Sequence, residues 1–309
     1  MSLHYKTPAC LLLEIVNTCN LSCVFCPQDR RDVQKTIMSE EIFNSAIHQY
    51  HEAGGRSVSL TPMQGESFLD PDLLSKLKAL RKYNFDSVHL FSNATMLDRF
   101  DAQELINSGL TTISFSLAPP EPELYKKITR YDLYSKTFAK LAKFLETFQS
   151  MENPSLNGVE LSFRSNTPLE NIKEMEGYST YISPYLSDKV RTTCITQYDS
   201  WCGAISKEDL VQGMTLRSQV PLSTTPCFNL NYLRVTEDGG LRLCGCRFLL
   251  NQDDELAIGH LQEDGLIKSF NSPKAEAIRA SFGLENPPAV CKNCAFYTNA
   301  MGHNLNPDK

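Results

Sequence analysis

The sequence predicts an α/β fold: a partial (β/α)6 parallel barrel followed by a small C-terminal cysteine-rich domain. Apolar strand-like runs near 11–16, 57–61, 87–91, 111–117, 158–164 and 190–196 alternate with helical segments, the order that builds a parallel sheet under covering helices. Six such strands are too few for a closed eight-stranded barrel, although an open doubly wound sheet accommodates six as well. The later strands also read polar on one face, which suits a wall around a wet lumen.

Each element has its own signal. Ser39 can cap a helix whose apolar stripe is Ile42, Phe43, Ala46, Ile47 and Tyr50, with Gly54 at its end. Asp70-Pro71 is a second start signal and Gly109 a second stop. In strand four Ser114, Ser116 and Ala118 share a face, opposite Ile113, Phe115 and Leu117. In strand five Glu160, Ser162 and Arg164 oppose Val159, Leu161 and Phe163. Fully buried parallel strands read apolar on both faces, so these strands line either a ligand-filled lumen or one solvated edge. Alternation turns Glu14 and Glu160 into one lumen, where either can hold a substrate hydroxyl or take its proton.

At 309 residues the chain can bury one large core, or a medium domain and a small one. Thirty Lys and Arg against 36 Asp and Glu leave a net charge of -6, without the basic footprint of a nucleic-acid partner. No signal-peptide pattern and no apolar run of membrane-span length is present, so a cytoplasmic protein with no membrane partner is expected. The 11 cysteines, an odd number, fit a reducing compartment, and seven of them sit in clusters with metal-like spacing.

The first cluster reads Cys19-Asn-Leu-Ser-Cys23-Val-Phe-Cys26. Three thiolates can hold a four-iron cluster by three corners, leaving one iron open to a small ligand. Zinc would want a fourth ligand, and residues 9–31 offer no His and only Cys10 besides; free thiols are the remaining alternative. The Cys-x3-Cys-x2-Cys spacing, with Phe25 just before the last cysteine and Asn20-Leu21 after the first, resembles the radical S-adenosylmethionine (SAM) superfamily.

That resemblance spans residues 10–200 and implies a [4Fe-4S] cluster with an open iron, SAM as cofactor, and a reductant such as flavodoxin or ferredoxin. It implies an enzyme that reductively cleaves SAM to a 5'-deoxyadenosyl radical, which abstracts hydrogen from substrate. It also implies roles at single positions. Gln64-Gly65-Glu66-Ser67 stands where the family has a Gly-Gly-Glu-Pro-like turn for the SAM amino group, so Gly65 and Glu66 are retained. Ser92-Asn93-Ala94-Thr95 is similar to the Thr-Asn-Gly-Thr turn near the SAM ribose, and Ser116 to a strand-four serine, here followed by Ala118-Pro119. Arg164 fits the methionyl carboxylate, since Arg binds carboxylates in bidentate geometry.

A second set runs Cys227-x11-Gly239-x4-Cys244 and later Cys291-Lys-Asn-Cys294. Two cysteines from a hairpin with Asp238-Gly239 at its turn, and two from a CxxC, can converge on a four-thiolate site for zinc or for iron and sulfur. The order resembles the SPASM/Twitch auxiliary-cluster domain in its shorter Twitch form, which implies one auxiliary iron-sulfur cluster, expected as [4Fe-4S]. The chain then divides into a barrel at 1–215 and an auxiliary domain at 216–309. Ile258-Gly259-His260-Leu261 and the helix-like stretch 272–280 resemble its connecting region, and Asp199-Ser200-Trp201-Cys202-Gly203 a Trp-Gly loop of this group. Cys10, Cys194 and Cys202 read as small buried hydrophobes. Cys246, two residues past Cys244, is a candidate hydrogen-atom donor to a product radical, with structural roles as the plainer reading.

The expected function is hydrogen abstraction from a small polyhydroxylated substrate (a sugar, aminoglycoside or nucleoside) for oxidation or epimerisation, with Cys246, Glu14 and Glu160 as catalytic candidates. A peptide-modifying maturase is one alternative. An inactive iron-sulfur binding or electron-transfer protein is another, suggested by the altered Gln64–Ser67 turn.

Overall fold

A computed structural model describes residues 6–30, 34–244 and 254–300. Strands β1 (Cys10–Leu13), β2 (Ser57–Ser59), β3 (Ser87–Ser92), β4 (Thr112–Leu117), β5 (Gly158–Arg164) and β6 (Val190–Ile195) pair in sequence order, every neighbour parallel. A doubly wound sheet reverses its order at a switch point. Right-handed crossovers that always step the same way put their helices on one face and leave the other as an inner wall. The consecutive order therefore selects the partial barrel over the doubly wound sheet.

Helices α1 (Glu40–Glu52), α2 (Leu73–Leu80), α3 (Ala102–Ile106), α4 (Pro122–Thr129) and α5 (Tyr134–Ser150) occupy the connections. Ser39 Oγ accepts from Ile42 N at 3.2 Å, and Ile42, Phe43, Ala46, Ile47 and Tyr50 are all buried, as the stripe requires. On β4, Phe115 meets Phe144 of α5 edge-on, with ring centres 5.4 Å apart, a contact worth about 1 kcal/mol beyond its burial. Asp70-Pro71 precedes α2 by a turn: Asp70 Oδ1 accepts from Asp72 N at 2.9 Å, and the helix starts at Leu73. Gly109, with φ +102°, closes the segment after α3, while Asn84 in the left-handed region ends the one after α2.

Past the barrel, β7 (Gln197–Tyr198) and β8 (Thr215–Leu216) form a two-stranded parallel ribbon. Strands β9 (Tyr232–Val235) and β10 (Gly240–Leu243) make the expected hairpin, with Gly239 at φ +96° in its turn, and β11 (Ala257–His260) extends it. The hairpin does not form a separate sheet. β9 pairs in parallel with β1, from Cys10↔Tyr232 to Leu13↔Val235, giving a nine-stranded order β11-β10-β9-β1-β2-β3-β4-β5-β6. An open barrel leaves the backbone groups of β1 unpaired on one side, and the hairpin satisfies them. Among the described residues no helix is long and apolar enough to cross a membrane.

Candidate active site and metal centres

Register assigns the inner face. Leu12, Ser59, His89 and Thr112 align across β1 to β4, and Ser114, Glu160 and Arg191 align across β4 to β6. Leu12 also aligns with Arg234, and Arg234 with Arg242, so the hairpin carries the same wall onward. The opposite face holds Leu11, Val58, Val88, Ile113, Val159 and Leu233 in the core. Glu14 follows β1 on the inner side, and Glu160 lies on the inner face of β5, but their settings differ. Glu14 is 2% exposed, accepts from Met63 N at 3.2 Å and lies 3.9 Å from Arg234. Glu160 accepts from Thr193 Oγ1 at 2.9 Å and from the exposed Arg191 at 3.1 Å.

Cys19, Cys23 and Cys26 stand on the loop after β1. Cys26 N donates to Cys23 O at 2.9 Å, and Val24 N to Ile128 O at 2.9 Å, which ties the loop to α4. Burial, then the Glu66 carboxylate, pushes the Cys19 thiol up to about 12; burial, then Cys26 and Cys19, raises Cys23. The three sulfurs are thus near neighbours, a donor set that suits iron. Leu21 N and Asn93 Nδ2 approach Cys19 Sγ at 3.5 and 3.7 Å, and N–H groups on ligand sulfurs tune a cluster's potential.

The turns after β2 and β3 meet over this loop. Glu66 is 1% exposed, and its carboxylate accepts from Ser92 Oγ at 2.8 Å, Asn93 N at 2.7 Å and Phe68 N at 3.1 Å. Its side chain therefore splices the two turns together, and burial raises its pKa. Gly65 is required by space: a Cβ there would lie 2.6 Å from Val16 O and 2.8 Å from Pro62 Cβ. Asn93 Nδ2 donates to Asn20 Oδ1 at 2.9 Å, and Asn20 Nδ2 to Thr95 Oγ1 at 2.7 Å. Cys23, Phe25, Asn93 and Ser116 line one small cavity beside the loop. Trp201 Nε1 donates to Phe25 O at 3.1 Å, and the Phe25 ring stacks on Tyr198 at 5.1 Å, which seats the Trp loop at the cysteine loop.

Arg164 Nη1 donates to Ser162 Oγ at 2.8 Å, and burial lowers its pKa against the opposing charges of neighbours that include Glu160. Toward the other end of β4 and β5, a cleft of about 340 Å³ has a mixed lining that includes His89, Ile113, Val159, Glu160, Lys189 and Arg191. His89 Nδ1 lies 2.8 Å from Thr112 Oγ1, and burial lowers its pKa. Alternation along β3 could have exposed His89 in the sequence, since it shares parity with Ser87 and Phe91. Arg191 and Lys189 carry no comparable signal.

The second set also converges. Cys227, Cys244, Cys291 and Cys294 line one cavity, walled by Leu256 and Phe282 among others. Phe296 N approaches Cys294 Sγ at 3.3 Å and Thr298 N approaches Cys227 Sγ at 3.5 Å. Burial first, then neighbouring thiols, pushes Cys291 up to about 12. Four sulfurs around an apolar cavity fit a fully ligated cluster. Cys202 Sγ lies 4.0 Å from Val290 O, beside this site, while Ser57 Oγ contacts Cys10 Sγ at 3.5 Å and Cys194 Sγ contacts Thr167 O at 3.4 Å. Cys246 lies outside the described residues.

The Radical SAM superfamily model matches residues 13–152, and the SPASM model, an iron-sulfur cluster-binding domain, matches residues 227–295. The chain is similar to a probable GTP 3',8-cyclase of Methanocaldococcus jannaschii, 24% identical over 273 residues, covering 80% of this chain and 86% of that protein. In fold it is similar to BtrN in complex with AdoMet and 2-DOIA, with TM-score 0.58 and 14% identity over 97% of this chain and 96% of that one. It also resembles Streptococcus suis SuiB bound to precursor peptide SuiA, with TM-score 0.63 and 15% identity over 89% and 67%. The chain belongs to the radical SAM superfamily and carries a SPASM-type domain: it is an enzyme whose cofactors are a [4Fe-4S] cluster, SAM and an auxiliary iron-sulfur cluster.

Proposed function

We propose that this enzyme abstracts hydrogen from a small polyhydroxylated substrate, a sugar, aminoglycoside or nucleoside, for oxidation or epimerisation. The polar inner wall of Ser114, Ser162, Glu160 and Thr193 carries the reading, because hydroxyls and a carboxylate turned toward the lumen suit a ligand rich in hydroxyls. Cys19, Cys23 and Cys26 hold the [4Fe-4S] cluster, and the four cysteines lining the second cavity, in the part spanning 216–309, hold the auxiliary one. The bound cofactors supply one-electron cleavage of SAM and the radical that takes hydrogen from substrate, with electrons from flavodoxin or ferredoxin.

The chain's own groups do the rest. Arg164, half-buried at the end of β5, receives the methionyl carboxylate. Gly65 brings backbone close to the SAM amino group, while Glu66 locks that turn to Ser92 and Asn93. Phe25 and Ser116 border the nucleoside end. Glu160 holds a substrate hydroxyl or takes its proton, and the sequestered Glu14 supports the wall. Cys246 remains the proposed hydrogen donor if the outcome is epimerisation.

A purine nucleotide is the second reading, favoured by the similarity to GTP 3',8-cyclases. Anaerobic reconstitution with dithionite and SAM tests both. Substrate-dependent 5'-deoxyadenosine with an aminocyclitol or sugar supports the first; turnover with GTP alone supports the second. No 5'-deoxyadenosine with any candidate would overturn both. Glu160→Gln is expected to lower turnover at least tenfold while leaving SAM affinity unchanged.

A further inference from the structure

The hairpin joins the two cysteine sites through a continuous set of contacts. Residues 61–63 begin the turn that presents Gly65 and Glu66, and they are gripped by the hairpin and by Glu14 just past the end of β1. Arg234 Nη1 donates to Thr61 O at 3.3 Å, Met63 N donates to Glu14 Oε1 at 3.2 Å, and Arg242 Nη1 reaches Met63 Sδ at 3.8 Å. Arg242 is 3% exposed and stands on β10 two residues ahead of Cys244. Asp254 holds its guanidinium in a fork, at 2.5 and 3.1 Å.

The next residue turns the other way. Glu255 accepts from Ala289 N and Val290 N, both at 3.1 Å, at the start of the short helix that carries Cys291. Leu256 then lines the four-cysteine cavity, and its carbonyl accepts from Leu243 N at 3.0 Å on β10. Three consecutive residues therefore touch the arginine behind the SAM-side turn, the cysteine-bearing helix and the second cavity. A forked Arg–carboxylate pair fixes orientation as well as distance, so displacing Asp254 displaces Arg242.

We propose that Arg242, oriented by Asp254, is a positioning residue that makes the SAM-binding turn depend on the auxiliary cluster. With the cluster in place, Cys244, Cys291 and Cys294 pin both sides of the 254–256 segment, and Arg242 holds Met63. Without it the segment relaxes and the turn loses one of its three holds. Both sites thus bias one short element, which is what energetic coupling requires. The proposal rests on the reading of the 64–66 turn as a SAM contact.

The test uses the full chain, reconstituted anaerobically, with SAM affinity by equilibrium dialysis and the electron paramagnetic resonance (EPR) change of the reduced first cluster on SAM addition. Arg242→Lys and Asp254→Asn, with iron and sulfide unchanged, are expected to weaken SAM binding about tenfold and to shrink the EPR change. Removing the auxiliary cluster by Cys291→Ala with Cys294→Ala should cost the same, and adding Arg242→Lys to it should cost nothing more. SAM affinity within twofold of wild type in Arg242→Lys, or fully additive losses, would overturn the coupling. If Arg242→Lys fails to load its clusters, Glu255→Gln serves instead, and an unchanged affinity there overturns the proposal too. Gly65→Ala separates the two ideas: full SAM affinity in that variant sinks the turn reading itself. Substrate identity enters none of these measurements.

Discussion

Ala94 sits at φ +65° in the turn after β3, a conformation costing an L-residue with a Cβ roughly 1–2 kcal/mol, and the surrounding bonds hold it there. Ser92 Oγ accepts from its N–H at 3.1 Å, and Asn93 on its other side is bound to Asn20 and Glu66. Ala94→Gly is therefore expected to stabilise the protein by about 1 kcal/mol, read as a higher anaerobic denaturation midpoint with SAM affinity retained. His89 makes a second residue-scale prediction. Burial draws its pKa below the usual 6.5, so its neutral form contributes stability above that pH and loses it as pH falls through 6.5 toward the folded-state value. A His89→Asn protein should show a shallower loss of stability between pH 6.5 and 5; an unchanged slope would count against the assignment. The strain at Ala94 had a sequence hint in the family's glycine at that place, whereas the setting of His89 needed its neighbours.

At the scale of elements, α2 is anchored by a buried ion pair. Lys76 Nζ lies 2.6 Å from Asp70 Oδ2 and donates to Met38 O at 2.8 Å, with both side chains at most 2% exposed. Removing one partner of such a pair leaves a buried charge unsatisfied, so Lys76→Met should destabilise by about 3–5 kcal/mol. Asp70→Asn added to Lys76→Met is expected to recover a large part of that loss in the same denaturation assay. The Asp70-Pro71 signal marked the approach to α2 in the sequence, but not this pairing, because a lysine spaced six residues from an aspartate looks like any surface charge. The hairpin tells the same story. Its turn at Asp238-Gly239 was legible, and its place beside β1 was not, since edge pairing depends on which strand lacks a neighbour.

For the whole molecule, one sheet carries both cysteine sites, the first on the loop after β1 and the second built from β10, the segment before β9 and the helix at Cys291. The two sets are separate in their ligands. Replacing Cys19, Cys23 and Cys26 with Ala should leave about half of the bound iron and sulfide, as Mössbauer spectra would show; loss of all iron would mean the sites do not assemble independently. By itself the sequence determined what repeats locally: the βα order, the inward parity of Ser114, Ser116, Glu160 and Arg164, and the cysteine spacings. These follow from backbone periodicity and from the short reach of neighbouring ligands. Only the tertiary structure decided that Glu14 is locked into the wall while Glu160 opens on a cleft, and that Asp254 and Glu255 tie the two sites together. Those outcomes depend on partners tens to hundreds of residues apart, whose meeting is set by strand pairing and burial rather than by any local pattern.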